Sequence, residues 1–265
     1  MITFSEYKAA ETLEEAWQLN QKKNNAVIGG MLWMKMSKRR YNTVIDLSGL
    51  GLDKIEESET QFRIGSMVTL RSLENHEGLE KYTCGAVKES LKHIVGVQFR
   101  NSATLGGSIY GRYGFSDVLT MFMAMDSYVE LYKGGIVPIA EFAASKYDRD
   151  IIVSIIVKKT PGVFAYESVR NSSTDFPVLT CCVSRIDGKV KAAIGARPMR
   201  AVIVSDDESI FANMTSENAE KFAQYVQSKV PVSGNVRAGK EYREHLVKVL
   251  VKRCCLEIME KEEQK

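Results

Sequence analysis

The sequence is poor in the residues and spacings that build disulfide frameworks and metal centres. Its five cysteines are Cys84 and two adjacent pairs, Cys181-Cys182 and Cys254-Cys255, and no Cys-x-x-Cys spacing occurs. An odd number of cysteines with adjacent pairs is a weak basis for disulfide pairing. The missing spacing argues against zinc or iron–sulfur ligation by this chain. We therefore expect buried, reduced thiols.

The sequence also lacks a strong charge imbalance and any long apolar run. A total of 36 Lys and Arg against 33 Asp and Glu gives a net charge of +3, which is too small to indicate nucleic-acid binding. No segment approaches the roughly 18 consecutive apolar residues of a membrane helix. The N-terminal segment lacks the basic and apolar regions of a signal peptide. We expect a cytoplasmic protein without a membrane span.

The order of predicted helices and strands indicates an α+β fold. Thr12 and Glu15 have capping-box spacing and begin a helix. Hairpins are predicted around Gly134 and at Asp187-Gly188. Helices and strands do not alternate as in a doubly wound sheet. The sequence changes character after residues 158–162, so we predict a first domain over 1–160 and a C-terminal α+β domain over 161–265.

Two Gly-Gly pairs are the strongest candidates for a ligand site. Gly29-Gly30 lies in AVIGGMLWMKM (26–36) and Gly106-Gly107 in TLGGSIYGRYGFSD (104–117), each ahead of a predicted helix. Free backbone N–H groups at such loops bind anions. Two loops could hold a pyrophosphate, and the Asp117 carboxylate could accept from sugar hydroxyls. Neither loop matches a Rossmann or P-loop motif, and Gly-Gly pairs are often ordinary turns.

Further motifs follow in a fixed order along nearly the whole chain. They are VIGGMLWMKM (27–36), VIDLSGL (44–50), RIGSMVTLRSLE (63–74), IVGVQFRNSATLGGSI (94–109), AAIGARPMR (192–200) and EYREHLVKVLVKR (241–253). This set resembles the FAD-binding (medium) subunit of the molybdenum hydroxylases, a family that includes xanthine dehydrogenase, aerobic carbon monoxide dehydrogenase and nicotinate dehydrogenase. The Arg-Asn ahead of Thr-Leu-Gly-Gly is the most specific element.

The resemblance implies a two-part FAD-binding fold of the vanillyl-alcohol oxidase type, followed by a smaller α+β domain with an antiparallel sheet and helices. It implies two FAD loops, a carboxylate on FAD hydroxyls and two apolar residues against the flavin. The implied contacts are Ala26, Val27, Ile28, Gly29, Gly30, Met31, Leu32 and Trp33 in the first loop, Thr104, Leu105, Gly106, Gly107 and Ser108 in the second, then Asp117, Ile94 and Ile152.

The resemblance also implies a function within a complex. The chain would be a flavin-containing oxidoreductase subunit that passes electrons from iron–sulfur clusters of a partner through FAD to NAD or another acceptor. Molybdopterin and the clusters would be bound by an iron–sulfur subunit and a molybdopterin-binding subunit. No side chain of this chain would be a catalytic residue, because the flavin carries the chemistry.

Several positions depart from the family pattern. Met31 and Leu32 stand where the family usually has Thr or Asn followed by an acid, and Ser108 replaces an Asn. Glu167 stands where the family often has a lysine near the flavin pyrimidine edge, and a carboxylate there disfavours the anionic reduced flavin. An alternative is therefore a structural or assembly subunit with weakened or lost FAD binding. A stand-alone flavin oxidase is a third reading, but the chain lacks a long substrate-capping domain.

Overall fold

The computed structural model describes residues 1–264, which form two compact units, each built from separate stretches of the chain. The first unit contains Met1–Ser72, Val97–Gly111 and Ser127–Val157. The second contains Leu73–Gly96, Arg112–Asp126 and the chain from residue 158 onward. The domain boundary near residue 160 stays a prediction. The predicted boundary lies close to Lys158, and all described residues from Lys158 onward belong to the second unit.

Strands and helices are numbered in chain order. The strands are β1 (Thr3–Ala9), β2 (Ala26–Ile28), β3 (Arg40–Asp46), β4 (Ile55–Glu57), β5 (Gln61–Gly65), β6 (Ser127–Leu131), β7 (Gly135–Pro138), β8 (Ile152–Lys158), β9 (Gly162–Arg170), β10 (Pro177–Ile186), β11 (Lys189–Gly195) and β12 (Val202–Ser205). The helices are α1 (Leu13–Asn20), α2 (Leu70–Glu74), α3 (Glu77–Tyr82), α4 (Ala86–Lys92), α5 (Val97–Arg100), α6 (Leu105–Tyr110), α7 (Asp117–Ala124), α8 (Ile139–Ala144), α9 (Ser216–Lys229) and α10 (Lys240–Glu263). The predicted α+β class is confirmed.

The first unit contains two sheets. A parallel sheet has the order β1-β3-β2, and a second sheet has the order β4-β5-β8-β6-β7. Thr12 caps α1 by accepting from the Glu15 N–H at 3.1 Å, while the Glu15 carboxylate accepts from the Glu11 N–H at 2.8 Å. The predicted hairpin around Gly134 is confirmed, since β6 pairs with β7 in antiparallel register. Buried Ile45, Leu47 and Val153 belong to one of this unit's apolar clusters.

The second unit is an antiparallel sheet packed against helices. Its strand order is β12-β11-β10-β9. The helices α7 and α10 pack against this sheet, and α9 packs against α10. Asp187 and Gly188, with φ of 48° and 74°, form the predicted turn between β10 and β11. The core includes Cys181, Cys254 and Cys255, which are buried as predicted, whereas Cys84 is only half-buried.

Two helices begin differently from what the sequence pattern indicates. Val87, Leu91 and Ile94 have helical spacing, but Cys84 and Gly85 have φ of 51° and 83°, so α4 begins only at Ala86. The second Gly-Gly pair does not lie in a loop, because Gly106 and Gly107 belong to the first turn of α6. Among residues 1–264, no helix combines the length and apolar character that a membrane crossing requires.

Candidate functional site

The first Gly-Gly pair lies against the chain that enters the second glycine segment, within the first unit. A Cβ atom at Gly30 would lie 1.8 Å from the carbonyl oxygen of Ser102, and one at Gly29 would lie 2.5 Å from Oγ1 of Thr104. Both distances are shorter than any normal contact, so a side chain at Gly30 would displace the backbone at Ser102, and one at Gly29 would displace the Thr104 side chain. The tertiary structure therefore brings the two glycine segments, which are far apart in sequence, into direct contact.

The loop that begins at Gly29 presents a run of available backbone donors. Within residues 1–264, the N–H groups of Gly29, Gly30, Met31 and Leu32 donate to no protein acceptor. All four residues are half-buried. The loop is closed by the Lys35 N–H, which donates to the Met31 carbonyl at 2.8 Å. Adjacent backbone N–H groups of this kind form a concavity that suits an anionic oxygen.

The second glycine segment uses its backbone donors differently. The Leu105 N–H donates to the Val68 carbonyl at 2.8 Å, and the Gly106 N–H donates to the Ser66 carbonyl at 2.8 Å. The Gly107 N–H donates to Oγ1 of Thr104, which caps α6, at 3.2 Å. The expectation of successive free N–H groups therefore fails for this segment.

One donor of the second segment remains available. Thr104 is only 6% exposed, and its N–H has no acceptor among residues 1–264. Buried backbone N–H groups nearly always have a partner in proteins, so a buried N–H without one indicates a place for a ligand or solvent atom. The side chain of Ser108 does not add to this donor set, since its hydroxyl donates to the Thr104 carbonyl at 2.9 Å.

Asp117 lies in the second unit as the first residue of α7, capped by Ser116, whose Oγ accepts from the Leu119 N–H at 3.0 Å. Its carboxylate is buried and accepts from the Tyr166 hydroxyl at 2.6 Å and from the Arg170 guanidinium. Burial raises the pKa of Asp117 to about 6, although Arg170 and Tyr166 act to lower it. Burial beside this carboxylate also raises the pKa of Tyr166 well above its ordinary value.

Sequence reasoning missed Tyr166 and Arg170 as partners of Asp117. Both lie on β9, four residues apart. Side chains separated by an even number of residues point to the same face of a strand. The spacing therefore indicates that Tyr166 and Arg170 lie on one face of β9. The run VFAYESVR (163–170) has a strand-like pattern, but nothing in it identifies which distant carboxylate the arginine contacts.

The remaining predicted contacts are apolar and divide between the units. Ile94 follows α4 in the second unit and is half-buried, while Ile152 begins β8 in the first unit and is buried. The Trp33 ring lies 5.4 Å from the Phe99 ring, measured between centroids. The first-loop residues Ala26 and Val27 are half-buried on β2, and Ile28 is buried.

Glu167 lies on β9 in the second unit and lines a cavity of about 380 Å³. The same cavity is lined by Glu89 and Glu257. Burial, followed by the charge of Glu257, raises the pKa of Glu167 above its ordinary range. Glu89 pairs with Lys92 and Glu257 with Lys261, whereas Glu167 forms no ion pair within residues 1–264. Glu167 thus lies beside two other carboxylates in a cavity that Lys261 also lines.

The chemistry of the first-unit site fits a dinucleotide diphosphate. Five backbone donors, on Gly29, Gly30, Met31, Leu32 and Thr104, lack protein acceptors within the described residues, and they lie on two segments in mutual contact. A diphosphate needs several such donors, and glycine allows its close approach. The residues present therefore fit FAD through main-chain atoms, whatever the side chains at Met31 and Leu32.

Comparison with known proteins also indicates FAD binding. Residues 3–159 match the FAD binding domain in molybdopterin dehydrogenase. The chain is 23% identical to the nicotine 6-hydroxylase medium subunit of Paenarthrobacter nicotinovorans, over 95% of this chain and 96% of that one. It is 24% identical to the xanthine dehydrogenase FAD-binding subunit of Escherichia coli O157:H7, over 96% and 95% of the two chains.

Solved structures share the fold at lower sequence identity. A chain of carbon monoxide dehydrogenase from Hydrogenophaga pseudoflava has a TM-score of 0.85 at 20% identity, with 96% of both chains covered. A chain of quinoline 2-oxidoreductase from Pseudomonas putida 86 has a TM-score of 0.84 at 16% identity, with 97% of both covered. The predicted fold and family are confirmed. The chain belongs to the FAD-binding domain family of the molybdopterin dehydrogenases, the FAD-binding subunits of molybdenum hydroxylases.

Proposed function

We propose that this chain is the electron-transfer subunit of a multi-subunit molybdenum hydroxylase of the xanthine dehydrogenase type. The chain would hold the FAD through which electrons from the iron–sulfur clusters of a partner subunit reach NAD or another acceptor. A molybdopterin-binding subunit completes the complex. Full-length similarity to proteins named as a medium subunit and as an FAD-binding subunit supports this role. We also propose a cytoplasmic location, because unpaired cysteines are typical of reducing compartments.

The observation that carries the proposal is the set of five backbone N–H groups without protein acceptors at the contact between the glycine segments. In this proposal these donors would hold the diphosphate of FAD. The Asp117 carboxylate would accept from FAD hydroxyls, and Ile94 and Ile152 would supply apolar surface for the flavin. FAD, when bound, supplies the electron-carrying chemistry. The chain's own residues bind and orient it, and tune it through the charges they place nearby.

The structural or assembly subunit remains the second candidate, and two observations favour it. The Asp117 carboxylate already accepts two hydrogen bonds from its own unit, and the first-turn donors of α6 are used by Ser66, Val68 and Thr104. Met31 and Leu32 also replace the polar residues that the family usually has. In this candidate the chain keeps the fold and its place in the complex, but binds FAD weakly or not at all.

A visible absorbance spectrum of the purified complex separates the two candidates. We expect flavin bands that co-purify with the chain, and full occupancy after FAD is added to any apo-protein. Anaerobic reduction by substrate should bleach these bands, and NAD⁺ or another acceptor should restore them. If the chain assembles with both partner subunits but never takes up FAD, the electron-transfer role is wrong and the assembly role stands.

A further inference from the structure

One stretch of the first unit carries positive charge without any compensating negative charge. Residues 16–45 contain six Lys and Arg and no Asp or Glu, in a chain whose overall net charge is only +3. The six are Lys22, Lys23, Lys35, Lys38, Arg39 and Arg40. The sequence alone suggests a solvated loop, but their placement in the fold gives them a common location.

The parallel sheet gathers these residues at one edge. Because β1, β3 and β2 run in the same direction, the segments that precede them meet at the same edge of the sheet. The Thr3 N–H donates to the Arg39 carbonyl at 3.2 Å, and the Ile2 N–H contacts the Lys35 carbonyl at 3.5 Å. On the other side, the Asn42 N–H donates to the Asn24 carbonyl at 2.8 Å, next to Lys23. We call these six cations the basic edge.

The basic edge keeps its full charge. All six side chains are exposed, and none forms an ion pair within residues 1–264. Two other lysines of the same unit are paired, Lys8 with Glu15 at 2.9 Å and Lys133 with Glu14 at 2.7 Å. Exposed like charges repel one another unless an opposite charge is brought to them, so this edge attracts a negatively charged partner.

Exposed apolar side chains lie on the same edge. Met36 is 73% exposed between Lys35 and Lys38, and Met1 is 92% exposed at the start of β1. Phe4, in register with Tyr41, is 44% exposed. Arginine, methionine and aromatic residues together are enriched in protein interfaces, where the apolar groups bury area and the cations select the partner.

We propose that the basic edge docks a carboxylate-rich face of the electron-donating iron–sulfur subunit. This inference rests on the proposed function, because that function requires such a partner. The edge also begins close to the cofactor loop, since Lys35 donates its N–H to Met31 within that loop. Charge complementarity steers the partner to the edge, and the methionines and Phe4 provide the buried contact.

Association with the purified iron–sulfur subunit of the same complex tests the proposal. The full-length chain is compared with R39E/R40E and with a control, K54E/K189E, that changes the net charge equally at exposed lysines that do not belong to the basic edge. At low ionic strength we expect R39E/R40E to associate about tenfold or more slowly, because steering raises on-rates by about 10 to 1,000-fold. The control should match wild type, and the difference should shrink at high salt.

A second variant, K23E/K38E, tests the same edge in case R39E/R40E does not fold. Neither the Lys23 nor the Lys38 side chain makes a hydrogen bond in the described structure. Equal association of both patch variants and wild type would overturn the proposal, as would an equal loss in the control. It would also fail if the variants lost affinity for anionic vesicles or duplex DNA but not for the iron–sulfur subunit. Flavin content is measured separately: absence of FAD with intact, salt-sensitive docking refutes the proposed function and leaves this inference standing.

Discussion

The two Gly-Gly pairs look alike in sequence and serve different purposes in the fold. At Gly29-Gly30 the chain leaves a strand, approaches residues 102–104 within van der Waals limits and leaves four N–H groups without protein acceptors. At Gly106-Gly107 the chain is helical, and its N–H groups donate to Ser66 and Thr104. Glycine supplies close approach in both places, but only the first pair combines it with available donors.

The difference shows what a glycine pair by itself can indicate. Close approach of backbone to backbone and close approach of backbone to ligand both require the absence of a Cβ atom. Gly106 meets the first requirement, since a Cβ there would lie 2.7 Å from Ser66. A ligand site needs a second property, donors that the protein itself does not satisfy. Four substitutions test this distinction.

Gly30→Ala should have the largest effect. The new Cβ would lie 1.8 Å from the Ser102 carbonyl oxygen, so the two segments must separate. We expect a loss of about 3 kcal/mol in unfolding free energy and a loss of FAD affinity of at least about tenfold. Urea unfolding and FAD titration measure the two effects. Gly49→Ala is the matched control, because its Cβ would lie in ordinary contact at 3.7 Å from Ala10. Normal FAD binding by Gly30→Ala would remove the first loop from the site.

Asp117→Asn should change how stability depends on pH. Burial raises the folded-state pKa of Asp117 from 3.8 to about 6. The contribution of the Asp117 carboxyl to the unfolding free energy is therefore fully present below pH 3.8, and it is lost as pH rises through 6. The unfolding free energy of wild type relative to the variant should fall by about 3 kcal/mol over that window.

Urea unfolding of wild type and Asp117→Asn at a series of pH values between 4 and 7 measures this contribution. A relative stability that rises with pH would mean that Arg170 holds the carboxylate charged and outweighs burial. In that case Asp117, at the end of the second segment, would stay in an ion pair with Arg170 at every pH tested. The first loop, in contrast, keeps donors that no protein group satisfies.

Gly106→Ala should destabilise the fold by about 2 kcal/mol while leaving the affinity of the folded protein for FAD near wild type. The reason is that its Cβ meets Ser66, whereas its N–H is already used within the protein. Unfolding and FAD titration are again compared. If affinity falls as sharply as in Gly30→Ala, the two glycine pairs act alike and the comparison breaks down.

Met31→Asn should have the smallest effect, a gain of about 1 kcal/mol. Met31 has φ of 57°, a left-handed conformation that costs most side chains about 1–2 kcal/mol and that asparagine tolerates. The gain should appear in urea unfolding, accompanied by equal or tighter FAD binding, because the loop donors are then held more firmly. Weaker binding would show that the methionine side chain itself contacts the cofactor.

Much of the local structure was predictable from short-range chemistry. The Ser116 cap, the Asp187-Gly188 turn and the β6–β7 hairpin follow from residues within a few positions of one another. The late start of α4 was not predictable, because the spacing of apolar residues does not indicate that a non-glycine residue such as Cys84 has a positive φ. The family could be recognised because its motifs recur in order.

The sequence by itself determined the α+β class, the caps and turns, the family and the two glycine pairs as candidates. Only the tertiary structure decided which pair keeps its donors, since the acceptors for Gly106 and Leu105 come from Ser66 and Val68, far away along the chain. It likewise decided that Asp117 meets Arg170 and that six scattered cations share one sheet edge. Hydrogen bonding and charge act over distances in space, which a pattern of neighbours in sequence does not contain.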